Sequence, residues 1–162
     1  ALERALRTHA TFLDKEPGQR VMDRLHAYSY FLEALLPRVE HAEVHAALTQ
    51  GIRRAAFELR RVRPDFERSD VPAQILRVRR WANQFGAVPI DERAAAEEAA
   101  WAAAYQLRGD AKNIDGGFCF GCRAGELTPF VNPVSTAFGL QALALWHDYK
   151  RGAEIAGWQS LV

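Results

Sequence analysis

The sequence predicts an all-α fold, an array of antiparallel helical hairpins joined by short links. Three observations predict it. Apolar residues recur three and four positions apart through most of the chain, as they do on one face of a helix. Prolines at 17, 37, 64 and 133 fall between these stretches, where a missing N–H and a restricted preceding residue end or start helices. The run from Val134 to Trp146 carries no charged side chain, which no solvent-facing helix sustains over that length.

Residues 2–13 read as the last turns of a helix, stopped near Glu16-Pro17-Gly18. A second helix over about 19–36 aligns Val21, Leu25, Tyr28, Leu32 and Leu35, and Pro37 ends it. A third spans about 40–62 with Val44, Leu48, Ile52, Ala55, Leu59 and Val62 in register. Ser69-Asp70 ahead of Pro72 announces the fourth as a cap with an early proline. It carries Ile75, Val78, Trp81, Ala82 and Phe85 and turns at Gly86. Asp91 caps a fifth, alanine-rich helix through about Leu107. A long connection follows, in which Phe118–Phe120 and Leu127–Val131 form a β-hairpin-like pair near 117–131, and the tail adds a strand or short turn. Asn132 caps the sixth helix, with Pro133 in its first turn and an end near Tyr149.

Unit starts near 20, 71 and 133 repeat loosely, each unit a helix pair. Hairpins of that size curve into solenoids or close into α/α toroids. The 162 residues therefore read as a single α-helical domain, the partial toroid of a longer protein, with an independent six-helix bundle as the alternative. The charge-free sixth helix then needs covering by other helices, by the remainder of a parent chain or by a second copy, through the apolar face of 133–148.

A formal net charge of +1 gives no reason to expect nucleic acid or an acidic polymer as partner. Nine arginines lie between Arg53 and Arg80 against four acids, but no aromatic stacking array accompanies them, so they read as a solvated outer face. No apolar run is long enough to span a membrane. Two cysteines fit a reducing compartment, and the expected location is cytoplasmic.

Two segments carry a resemblance. GGFCFGCRAGE (116–126) followed by STAFGLQALALW (135–146) resembles the repeat unit of the terpenoid cyclase and protein prenyltransferase superfamily. There a Gly-Gly-Phe turn, with Gly and Arg close behind, leads into an inner helix. RLHAYSYFLEALL (24–36) resembles an inner helix of the six-hairpin toroids that act on sugars, including sugar epimerases. The chain also looks like a family of uncharacterised bacterial proteins. The resemblance implies a toroid scaffold with a central cavity. The polyene-protonating Asp-x-Asp-Asp motif and the Asp-x-Cys zinc pair are missing from this sequence, so the chemistry stays open.

Candidate site residues follow from the inner ends of such helices. On the second helix Asp23, His26, Tyr30 and Glu33 form one polar stripe, and on the fourth Asp70, Gln74 and Arg77 form another. Asp70, Glu33 and His26 are the proton-transfer candidates, and Tyr30, Gln74, Arg77 and Asn132 the ligand-binding ones. The expected ligand is a small polar molecule, most plausibly a carbohydrate. The alternatives are a non-enzymatic structural or protein-interaction domain, and a fragment of a terpenoid-processing enzyme. Cys119-x-x-Cys122 lacks a second pair or a histidine at finger spacing and is read as structural. His41 and His45 have no third ligand nearby and read as solvent-facing. No metal and no cofactor are expected.

Overall fold

A computed structural model describes residues 2–14, 18–109 and 114–153. It is all-α, 66% helical, with antiparallel helices packed on one another and a small antiparallel sheet at one end. The helices are α1 (Leu2–Thr8), α2 (Gly18–Leu35), α3 (Ala42–Val62), α4 (Asp70–Gln84), α5 (Glu92–Ala103) and α6 (Pro133–Lys150). One-turn 3₁₀ segments follow α1 and α2. The described helices do not close on themselves into a toroid.

The predicted starts and stops fall close to the observed ones because local chemistry sets them. Asp91 and Asn132 are true N-caps, accepting the N–H groups of Ala94 and Ser135 at 3.0 Å. Gly86 turns the chain out of α4 with φ +69°, a conformation glycine adopts without strain. Ser69 is a correction. Its hydroxyl does not cap α4; it donates to the carbonyl of Cys119 at 2.6 Å and pins the long connection to the helix start. Asp70 does not cap either, since both its oxygens accept from Arg68. The fifth helix stops at Ala103 rather than Leu107, because Gln106 is drawn into a bridge with Phe118. The predicted stop around Pro17 and the predicted element in the tail beyond 153 lie outside the described residues.

α4 is the central element and touches α2, α3, α5 and α6. On one side Val71, Ile75 and Val78 meet Leu25, Leu32, Leu48, Ile52 and Leu59 of α2 and α3, all at most 1% exposed. Gly51 lets α2 and α3 approach closely: a Cβ there would lie 2.3 Å from Leu32 Cδ2. On the other side Ala73 and Leu76 meet Ala95, Ala99 and Ala102 of α5 and Ala142 of α6. Small side chains bring those helices in tightly.

The three strands are β1 (Phe66–Arg68), β2 (Gly121–Arg123) and β3 (Glu126–Leu127), in the order β1-β2-β3. Cys119 and Val131 bridge the two segments expected to pair, and the ladder extends inward from there to Cys122↔Leu127. The strand β1, which pairs Phe66 with Arg123, has no counterpart in the sequence reading.

The sixth helix buries Ser135, Gly139 and Ala142 and packs Phe138, Leu143, Leu145 and Trp146 partly against the core, while Val134 and Leu140 stand about half exposed, an apolar face left uncovered by the described residues. One expectation is overturned. The arginines of 53–80 are not a solvated face. Arg79 and Arg80 are buried on α4, and Arg54, Arg60, Arg61, Arg63, Arg68, Arg77 and Arg79 are in ion pairs. Arg77, Arg79 and Arg80 lie on α4, which the other helices surround, while those on α3 and β1 reach carboxylates on their own or neighbouring elements. His41 and His45 do face solvent.

Candidate functional site

The polar stripes of α2 and α4 meet. His26 Nδ1 lies 2.8 Å from Gln74 Oε1 and 3.5 Å from Asp70 Oδ2. In this arrangement Nδ1 faces two acceptor oxygens. One turn on, Arg77 Nη1 comes within 2.8 Å of Glu33 Oε1, out of line for a hydrogen bond. Tyr30, 45% exposed, sits edge-on to His26 with centroids 5.0 Å apart. It is also edge-on to Phe138 of α6 at 6.0 Å, so α2 and α6 touch across α4 through this aromatic pair. Arg77 lies over the Phe138 ring at 4.7 Å.

Electrostatics follow from enclosure. Burial pushes the Glu33 carboxyl up, and Arg77 only partly offsets that. Burial lowers the Arg77 guanidinium against the pull of Glu33 and Tyr30. The Tyr30 hydroxyl is raised by burial, then by the charges of Glu33 and Asp70. Asp70 is clamped by Arg68, whose third nitrogen reaches Asp23 at 3.0 Å.

Several buried polar atoms have no hydrogen-bond partner among the described residues: Gln74 Nε2, Arg77 Nε and, on α6, Ser135 Oγ, while Arg77 Nη1 and Glu33 Oε1 meet only as an ion pair. Turning the Gln74 amide over only exchanges which of its atoms is left alone. Enclosed polar groups without partners are costly, about 1–3 kcal/mol each.

The structure thus brings together His26, Tyr30, Glu33, Asp70, Gln74 and Arg77 in one chain of contacts. Asn132 is engaged as the α6 cap, and no bond links it to that group among the described residues. Sequence reasoning missed Arg68 and Phe138. Arg68 stands two residues before Asp70, a spacing that a charge-pair search would find; Phe138 read only as part of the apolar face of the sixth helix. Cys119 is buried, which raises its thiol pKa, and Cys122 is partly exposed. Among the described residues no three His, Cys, Asp or Glu side chains gather as a metal site, and no helix is long and apolar enough to cross a membrane. No family model, curated protein or solved structure matches the chain.

Proposed function

We propose that the face shared by α2, α4 and α6 holds a small hydroxyl-rich ligand, a carbohydrate. The observation that carries this is the mixed set of groups without a hydrogen-bond partner: donors at Gln74 and Arg77, an acceptor at Glu33, and the hydroxyl of Ser135. Sugar hydroxyls both donate and accept, so one ligand answers every member of such a set. The phenol of Tyr30 and the ring of Phe138 offer the apolar faces that sugar C–H groups pack against. Glu33 is the better proton-transfer candidate, because both oxygens of Asp70 are occupied by hydrogen bonds from Arg68. His26 would orient through Gln74 and exchange a proton at Nε2. The scaffold reading that goes with this is a partial α/α toroid, related to the sugar-processing and terpenoid-type toroids that the sequence resembles. Calorimetry with a panel of neutral sugars and uronic acids tests it. At least one member should bind, and Arg77→Ala should weaken it roughly 10- to 100-fold. No binding across the panel, or unchanged binding by the variant, would remove the reading.

A second reading, an interaction domain, has its own observation. Val134, Leu140, Leu127 and Phe130 are each about half exposed on α6 and the hairpin before it. That apolar surface suits the remainder of a parent chain or a second copy. Light scattering of the wild type and of Leu140→Glu tests the second copy. A dimer that the variant dissociates supports it, and a monomer at high concentration counts against it.

A further inference from the structure

Away from α2, the end of α3, the strands β1 and β2 and the end of α5 enclose a cavity of about 380 Å³. Its lining includes Arg63, Glu67, Trp101, Tyr105 and Cys122. The Glu67 side chain is 2% exposed, and its two oxygens are used unequally. Oε2 accepts from the Tyr105 hydroxyl at 2.5 Å and from Arg63 Nε at 2.7 Å. Oε1 is enclosed with no donor. Arg63 lies flat over the Trp101 ring at 4.4 Å, with Arg60 over the same ring at 5.3 Å. Arg60 is satisfied by Glu97 and the Ala56 carbonyl. Arg63 uses only Nε, and its two terminal nitrogens have no partner among the described residues.

We propose that this cavity is a second binding site, for a small carboxylate with a hydrogen-bond donor on the adjacent carbon: an α-hydroxy or α-amino acid. The carboxylate fits the free fork of Arg63, which the Trp101 face and the Glu67 bond hold in one orientation. The neighbouring hydroxyl or ammonium supplies the donor that Glu67 Oε1 lacks. Two arginines against one carboxylate within the lining favour an anion or a zwitterion over a simple cation. A carboxylate without the donor leaves Oε1 unanswered, and sites with an unpaired buried acceptor discriminate strongly on that ground.

Cys122 makes the site readable. It pairs with Glu67 across the β1–β2 ladder and lines the cavity, whereas Cys119 is buried behind Tyr105 and does not line it. The experiment is the rate of Cys122 alkylation by iodoacetamide, followed by peptide mass spectrometry, with glycolate, glycine or acetate added. Glycolate or glycine should slow alkylation at a concentration about tenfold below that needed for acetate. E67Q, nearly the same shape, should remove that difference, and R63Q should remove protection by all three. If no carboxylate slows the reaction, or if acetate protects as well as glycolate and glycine do, the proposal is overturned. The wild-type comparison decides this even where a variant fails to fold. The outcome is independent of any sugar binding by the α2–α4–α6 face.

Discussion

Arg79 and Glu98 grip each other twice inside the contact between α4 and α5, Nε to Oε2 at 2.9 Å and Nη2 to Oε1 at 2.7 Å. Neither side chain is more than 6% exposed. Burial alone would lower the Arg79 pKa, but the hydrogen bonds and charge of Glu98, with Asp91 behind, outweigh it and hold the guanidinium above its ordinary value. Removing one partner strands a buried charge. Glu98→Ala should therefore cost about 3–5 kcal/mol in urea unfolding. Replacing both partners with leucine and methionine should cost much less, since the desolvation of both charges is avoided. Equal losses for the single and double variants would contradict this account.

Two glycines set the junction between the sheet and the last helix. A Cβ at Gly121 would lie 2.2 Å from the Glu67 carbonyl oxygen, which is backbone and cannot step aside. A Cβ at Gly139 would lie 2.5 Å from the ring of Phe118, itself fully buried. Gly139→Ala should cost about 1–3 kcal/mol. Gly121→Ala should cost at least as much and should also disrupt the pairing of β1 with β2, read from amide exchange at Ser69, whose N–H bonds to the Phe120 carbonyl.

The turn between β2 and β3 is the place to gain stability. Ala124 and Gly125 both have positive φ, +49° and +85°, the pattern of a two-residue type I′ hairpin turn. Alanine is strained there, and asparagine tolerates the left-handed region better. Ala124→Asn should raise stability by about 0.5–1 kcal/mol in thermal or urea unfolding. A loss would show that the side chain at 124 has a packing role in the cavity wall.

Glu67 gives a pH signature. Burial raises its pKa above 4.5, with the hydrogen bond from Tyr105 and the charge of Arg63 pulling the other way without winning. The folded state then holds the proton more tightly than the unfolded one. Its contribution is fully present below pH 4.5 and is lost as pH rises through the folded value. The stability of the wild type relative to E67Q should accordingly fall between about pH 4 and neutrality. Urea titrations across that range check it, and a difference that rises with pH would reverse the sign.

Where the sequence was readable, short-range chemistry did the work. Pro37, Pro64, Gly86 and the Asn132-Pro133 start each act within one turn of their own position, and the helix limits followed. The i, i+4 and i+7 spacing of Asp70, Gln74 and Arg77 likewise set them on one face before any fold was known. That this face meets His26, Tyr30 and Glu33 is a tertiary fact which spacing alone left open. The strand β1 was illegible for a related reason: three residues show no period, and its partner lies beyond two further helices. The arginines misled because composition reports charge, whereas the carboxylates placed beside them by α3, β1, α4 and α5 decide their partners. The lack of charge on α6 was legible, but which of its residues are covered was not: Ser135, Gly139 and Ala142 are fully buried, while Phe138, Leu143, Leu145 and Trp146 are only partly covered.

The pairing of Phe66 with Arg123 also orders events in time. The helices α2, α3 and α4 meet neighbours that are close along the chain and can dock early. The sheet ties the start of α4 to the segment just ahead of α6, so α6 is delivered to α4 by closing one long loop. Ring closure of that length is entropically slow compared with helix–helix collapse between neighbours. The hairpin and α6 are therefore expected in the late half of assembly, and substitutions there should raise the unfolding rate more than they lower the folding rate, as a chevron plot would read.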